Sequence, residues 1–284
     1  QTKGKPTILV AHTIKGQDYN MPLLQKFLDQ KATLVDYERI ADEQNRRLIF
    51  FTLHAGYAGA IETLVALAQR LKFNGLTTPL TDLKHAYEYA SLREAQEHLR
   101  DIGARISAEG MGSLHEPLII GVSGYGNVAK GCAAILDCLP VREISVAELE
   151  AAGQGSAQEW GPLVKVVFKE KDMVETRSND AQFVLQDYYQ RPKNYRGVFA
   201  RYLPQLDVLL NTIYWTPDYP RLVTKKWVKA NYGANKSPRL KVIGDISCDI
   251  GGSIEVTRKA PMPDAPCYVY EPETGEVTDG VEGN

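Results

Sequence analysis

The chain has 284 residues, a formal net charge of −2, and 44% hydrophobic and 24% charged residues. Such a length buries a large core in one or two domains, and the composition is that of an ordinary globular protein. The near-neutral balance gives no electrostatic pull toward nucleic acid or a membrane surface, and no apolar run approaches the ~18 residues of a membrane span.

In chain order, residues 7–11 read as a strand ending at His12, with Thr7-Ile8-Leu9-Val10 apolar enough to be buried. A helix over 21–29 follows, with Leu23, Leu24, Phe27 and Leu28 on one face. Strands are expected at 33–37 and 48–52, separated by the polar turn Asp42-Glu43-Gln44-Asn45. Together these units read as a small α/β lobe. Ala55-Gly56-Tyr57-Ala58-Gly59 then reads as a hinge-like entry to a long helix through Lys72, whose Ile61, Leu64, Val65, Ala68 and Leu71 mark a buried face. A helix over 91–102 is closed by Gly103.

Residues 117–131 carry the strongest signal. Leu118 to Val122 is a short apolar strand containing Gly121; it breaks into Gly124-Tyr125-Gly126, and a helix runs from Asn127 to Leu139. Strand, glycine turn and helix is the context that a dinucleotide fingerprint needs. Gly124 permits the tight turn, and Gly126 removes the Cβ that would hold the backbone away from a pyrophosphate. Ala129 lets the helix pack close to the strand, while the amides of Asn127 and Val128 face the phosphate. A glycine-rich turn in some other α/β protein is the bland alternative.

Further on, 141–146 is a candidate second strand, 153–161 is glycine- and polar-rich, and 164–168 is apolar. The charged, tyrosine-rich stretch to Gly197 resists assignment beyond helices near 180–190. Strands at 208–215 and 240–246, a helix at 225–230, and short strands and turns over 261–283 complete the chain.

In NAD enzymes a carboxylate about 20 residues beyond the glycines ends the second strand and binds the ribose 2′-OH. Ser145 holds that place here, with Arg142, Glu143 and Glu148 nearby. A missing carboxylate favours NADP(H) over NAD(H); a strand end displaced by a few residues would hand the role to Glu143 or Glu148. His12, at a strand's C-terminal end, suits a general acid or base, or is simply a surface histidine. Asp245 and Asp249 bracket Ile246-Ser247-Cys248 ahead of Gly251-Gly252, either as ligand-orienting carboxylates or as turn residues. With no histidine or third acid beside them, no metal is expected. Tyr214 and Trp215 close the strand that starts at Val208, where they either meet the nicotinamide half of a cofactor or pack in the core. Cys132, Cys138, Cys248 and Cys267 lack metal-ligand spacing, so free thiols in a reducing compartment are expected.

Several segments together resemble lysine–2-oxoglutarate reductase, the saccharopine-forming saccharopine dehydrogenase of the alanine dehydrogenase and pyridine-nucleotide transhydrogenase superfamily. They are His12-Thr13-Ile14-Lys15-Gly16-Gln17, Leu34-Val35-Asp36-Tyr37-Glu38, Ala55-Gly56-Tyr57-Ala58-Gly59 and Gly124-Tyr125-Gly126-Asn127-Val128-Ala129-Lys130-Gly131. Ile213-Tyr214-Trp215, Pro220-Arg221-Leu222 and the run from Gly244 through Asp249 to Glu255 match too, all in the family's order.

The resemblance implies an α/β protein: a Rossmann-like dinucleotide-binding domain with a parallel sheet at 55–284, and part of a second Rossmann-like substrate lobe at 1–54. It implies NAD(P)H-dependent reductive condensation of lysine with 2-oxoglutarate to saccharopine, with His12 as acid/base and Asp249 at the nicotinamide end. An alanine dehydrogenase-like amino-acid dehydrogenase and a non-catalytic cofactor-binding module are the alternatives. Expected partners are small-molecule substrates, with a homo-oligomer left open and neither nucleic acid nor membrane expected. The expected location is cytoplasmic, or mitochondrial for an animal source. The family's acid/base lysine and its substrate-binding arginine find no counterpart; Lys3, Lys5 and Lys15 are not that lysine. Roughly a hundred further residues before Gln1 and a helical return after Asn284 are therefore expected from the family pattern, with Ile8, Leu9 and Leu34 poorly buried.

Overall fold

The computed structural model describes residues 4–16, 18–112, 114, 117–153, 160–178, 181–232 and 238–283. Lys3, Gln17 and 154–159 of the glycine- and polar-rich stretch lie outside them. The chain divides into two compact units, Gln1–Phe51 and Thr52–Asn284.

In the first unit, β1 (Thr7–Leu9) and β2 (Leu34–Asp36) pair in parallel, with Ile8 opposite Val35. The helix α1 (Met21–Asp29) joins them, starts with a proline in its first turn and buries Phe27. Ile8 is 58% exposed, and Leu9 and Leu34 are only half-buried. The strand expected at 48–52 does not form. The Leu48 N–H is used on the Ile40 carbonyl (2.8 Å), and Arg47 Nε donates to the Ile49 carbonyl (2.6 Å). The segment is thereby tied to a local turn instead of a sheet edge, and Leu48, Phe50 and Phe51 stay exposed.

The second unit opens on α2 (Thr52–Phe73), followed by α3 (Leu92–Glu109). The glycine segment read as a hinge lies inside α2. Gly56 and Gly59 are contact points there: a Cβ on Gly59 would stand 2.6 Å from the Ile246 side chain. Packing offsets the roughly 1 kcal/mol that glycine costs a helix. Likewise α3 passes through Gly103, which abuts the Cys138 carbonyl, and ends at Gly110 with φ +74°; Ser91 Oγ caps its start by accepting from the Glu94 N–H (3.2 Å).

The remaining elements are β3 (Leu118–Ser123), α4 (Asn127–Leu136), β4 (Val141–Ile144), α5 (Val146–Gly153), β5 (Leu163–Phe168), α6 (Glu170–Met173), β6 (Val174–Thr176), α7 (Leu185–Gln190) and β7 (Tyr195–Gly197). After these come β8 (Val208–Asn211), α8 (Lys225–Asn231), β9 (Val242–Asp245), β10 (Tyr268–Tyr270) and β11 (Val277–Asp279). The tyrosine-rich stretch therefore forms the antiparallel pair β6–β7 around α7, and the last two strands make a second hairpin.

Five parallel strands form the central sheet in the order β4-β5-β3-β8-β9. This is an α/β, Rossmann-like architecture with one departure from chain order: β4 stands at the edge, and β5 lies between it and β3. Side chains alternate along β3, so Leu118, Ile120 and Val122 pack with α2, α3 and α4, while Ile119 packs on the opposite face. That second face is covered by Leu149 of α5, Val228 of α8 and the aromatic cluster of Phe168, Phe199 and Tyr202. The swap of faces follows from right-handed crossovers. The chain leaves β3 outward through α4 to β4, then reverses direction through α5 to β5, so the two helices must cover opposite faces. At the N-terminal end of the sheet, buried Asp207 accepts from the Ile119 N–H (2.9 Å), Arg239 Nε (2.9 Å) and Lys241 Nζ (3.2 Å), tying three strands together.

Candidate functional site

The C-terminal ends of the sheet strands carry the candidate site. Gly124 takes φ +93°, a left-handed conformation that glycine adopts without strain, and its N–H donates to the Phe168 carbonyl (2.9 Å). Gly126 is the N-cap of α4, and no side chain caps that end. The first intrahelical bond runs from the Lys130 N–H to the Gly126 carbonyl (3.0 Å), so the N–H groups of Asn127, Val128 and Ala129 precede the ladder. A Cβ on Gly126 would meet nothing within 4 Å. This loop is an open, uncapped helix end with the positive dipole outward, which fits a pyrophosphate. Ala129 is buried against the core. Gly121 has a different part: it lies mid-strand, and a Cβ there would stand 2.6 Å from Leu206 and 3.1 Å from Phe168. Its smallness serves core packing, away from the Gly124–Gly126 loop.

Ser145 is not at the end of the strand beside β3, because β4 is the sheet's edge. Its hydroxyl and N–H instead form a reciprocal cap with Glu148 at the start of α5: the Glu148 N–H donates to Ser145 Oγ (3.2 Å) and the Ser145 N–H to Glu148 Oε2 (2.7 Å). The backbone N–H of Ser145 and then its hydroxyl hold the Glu148 carboxyl below its usual range. The strand that does adjoin β3 is β5, and it runs into Lys169 and Glu170. Lys169 Nζ lies 5.9 Å from the centroid of the Tyr125 ring. Glu170 Oε1 accepts from the hydroxyls of Tyr189 (2.6 Å) and Tyr125 (3.4 Å).

On the other side of β3, a polar network fills the strand ends. Ser123 Oγ donates to Asn211 Oδ1 (3.0 Å), and Asn211 Nδ2 donates to Asp245 Oδ1 (2.8 Å) and Ser253 Oγ (2.8 Å). Asp245 also accepts from Ser247 Oγ (2.7 Å) and from the Thr257 hydroxyl. Ser123, Asn211 and Ser253 are fully buried, so each bond acts in a low-dielectric setting. The network anchors the turn carrying half-buried Asp249, whose carbonyl accepts from the Gly252 N–H (2.8 Å). Arg221 braces the same turn, donating to the carbonyls of Gly251 (2.9 Å) and Gly252 (3.0 Å) while lying 4.9 Å over the Trp215 ring. The Trp215 indole N–H is used on the carbonyls of Tyr219 (3.0 Å) and Pro220 (3.2 Å). Trp215 is thus a brace of the loop, whereas Tyr214 is 86% exposed and open to a ligand.

In the first unit, His12 adopts φ +52° just beyond β1, and its Nδ1 lies 2.6 Å from Glu38 Oε2 beyond β2. Arg47 reaches the other oxygen of Glu38 (3.1 Å). Parallel pairing brings the two strand ends together and sets the imidazole beside the carboxylate without a hydrogen bond between Nδ1 and Oε2, an ion-pair arrangement that suits proton transfer.

Sequence reasoning missed Glu38, Lys169 and the Ser123-Asn211-Ser253 set. A polar Asn211 closing an apolar strand was the one local sign of the last. Among the described residues no group of three or more histidine, cysteine or acidic side chains could hold a metal, all four cysteines are free, and no helix is long and apolar enough to cross a membrane.

No family model matches the chain. Over 284 residues it is 34% identical to alpha-aminoadipic semialdehyde synthase of Arabidopsis thaliana, covering 96% of this chain and 26% of that protein. With the mitochondrial alpha-aminoadipic semialdehyde synthase of Bos taurus it shares 32% identity over 291 residues, 96% of this chain and 31% of the relative. The Rattus norvegicus protein of the same name is 31% identical over the same shares. The chain thus spans only 26% to 31% of the length of these curated relatives. Among solved structures, an L-alanine dehydrogenase matches with a TM-score of 0.47 and 12% identity, covering 99% of this chain and 59% of that one. The end-to-end match at 31% to 34% identity makes the chain a homologue of one portion of the alpha-aminoadipic semialdehyde synthases.

Proposed function

We propose that this chain is the cofactor-binding part of a lysine–2-oxoglutarate reductase, which condenses the lysine ε-amine with 2-oxoglutarate and reduces the product to saccharopine at the expense of NADPH. The observation that carries the reading is the open, uncapped start of α4 behind Gly124 and Gly126, in a chain homologous to alpha-aminoadipic semialdehyde synthase. When bound, the reduced nicotinamide supplies the hydride. The chain's own groups bind and orient. The amides of Asn127 and Val128 hold the pyrophosphate, with Gly124 and Gly126 letting the backbone approach it. Asp249 orients the reacting end from a turn braced by Asp245 and Arg221, and exposed Tyr214 meets the nicotinamide half. His12, paired with Glu38, moves the proton. Four free thiols suit a reducing compartment.

Calorimetric titration with NADPH tests the cofactor reading, and saturable binding is expected. Oxidation of NADPH in the presence of lysine plus 2-oxoglutarate, compared with pyruvate plus ammonia, tests the substrate reading. Turnover only with the second pair makes the protein an amino-acid dehydrogenase. Binding without turnover by either pair is the behaviour of a cofactor-binding module or of a part that catalyses only within a longer protein.

A further inference from the structure

The residue that reads the adenosine ribose follows from the strand order. In a Rossmann-like sheet the side chain ending the strand next to the fingerprint strand faces the ribose 2′ position; a carboxylate there selects the free hydroxyl, and a cation accommodates a 2′-phosphate. Chain order would make that strand β4, but hydrogen bonding makes it β5, with Leu118 paired to Leu163 and Ser123 to Phe168. The residue immediately beyond Phe168 is Lys169. Its backbone is fixed, because the Phe168 carbonyl accepts from the Gly124 N–H (2.9 Å) and the Lys169 N–H donates to Asp172 Oδ2 (2.8 Å). Its ammonium lies 5.9 Å from the ring of Tyr125, which stands between the two fingerprint glycines.

We propose that Lys169 is the coenzyme-selecting residue, its ammonium pairing with the 2′-phosphate of NADPH beside the Tyr125 ring. This rests on the dinucleotide-binding reading above and adds the group that decides between the two coenzymes. The neighbouring carboxylate, Glu170, would favour a free 2′-hydroxyl if it were available. Its Oε1 is already engaged: both Tyr189 and Tyr125 donate to it, and the bond to Glu170 holds the Tyr189 hydroxyl in its protonated form well above the usual tyrosine range. Lys169 is exposed, so a phosphate reaches it without rearrangement of the core.

Calorimetric titration of the wild type, Lys169→Ala and Lys169→Arg with NADPH and with NADH tests the assignment. Lys169→Ala is expected to weaken NADPH at least tenfold while changing NADH less than twofold, and Lys169→Arg is expected to keep the wild-type preference, since guanidinium pairs with phosphate as well. Equal weakening of both coenzymes, or of neither, overturns the role of Lys169 while leaving the dinucleotide site standing. A wild type that binds neither coenzyme overturns the site itself.

Discussion

Gly56 of α2 and Gly131 of α4 meet backbone to backbone. A Cβ built on Gly56 would stand 2.8 Å from the Gly131 Cα, and one on Gly131 would stand 2.9 Å from the Gly56 Cα. No side chain fits between them, so the long helix lies directly against the helix that starts at the glycine loop, and buried Cys132 reaches the Gly56 carbonyl (3.5 Å). Gly131→Ala is therefore expected to destabilise the chain by about 1–3 kcal/mol through overpacking. Helix propensity alone predicts a gain of about 1 kcal/mol. Urea unfolding of this variant against wild type decides the sign.

Gly126 has the opposite environment. With nothing within 4 Å of its Cβ position and a backbone φ of −73°, valine is sterically accepted in the empty loop. Gly126→Val should keep the unfolding free energy within about 1 kcal/mol of wild type. The branched side chain stands where the pyrophosphate must approach, so NADPH affinity should fall at least tenfold, about 1.4 kcal/mol. Paired urea and coenzyme titrations separate the two effects, and unaltered affinity would remove the loop from the cofactor site.

Ser145 belongs to a cap, and its variants should behave so. Ser145→Ala is expected to cost about 1 kcal/mol of stability by leaving the first turn of α5 short of an acceptor. Ser145→Asp, which restores an acceptor, should leave the ratio of NADPH to NADH affinities unmoved, because β5 separates β4 from β3. A shift of that ratio toward NADH would bring Ser145 back to the ribose.

Burial pushes the Cys132 thiol from its ordinary value of 9.0 up to about 12. A raised thiol pKa stabilises the folded form relative to the unfolded one at no pH; it leaves stability untouched below the unfolded value and erodes it as the pH climbs toward the folded one. Between those limits the unfolded chain releases a proton that the folded chain keeps, at up to about 1.4 kcal/mol per pH unit. Urea unfolding at pH 8 and pH 10 should show a loss that Cys132→Ala reduces. A disulfide reagent at pH 8 should label exposed Cys248 and spare Cys132 until unfolding.

Local chemistry made the strand, glycine turn and helix of 118–136 legible before any tertiary contact was known. An apolar run, two glycines and a helix start are contiguous, and β3, Gly124, Gly126 and α4 follow in that order. The helix at Met21–Asp29 was legible for the same reason, since its period and its breakers are all within reach of one another. The order of motifs along the chain also sufficed to indicate the relationship to alpha-aminoadipic semialdehyde synthase.

What lay beyond the sequence was everything set by partners distant along the chain. Gly56 and Gly59 look like a hinge until α4 and Ile246 are placed against them, and Gly103 looks like a helix end until Cys138 packs on it. The apolar segment after Arg47 lacks a strand because the Leu48 N–H and the Arg47 side chain tie it into a local turn. The spacing rule for the ribose carboxylate assumes that the second strand in the chain is the second in the sheet, and that assumption leads to Ser145. Hydrogen bonding between β3 and β5 puts Lys169, not Ser145, just beyond the strand that adjoins β3, because strand order is decided by which apolar faces and backbone ladders match in space, and a helix on either face of the sheet satisfies the local pattern equally well.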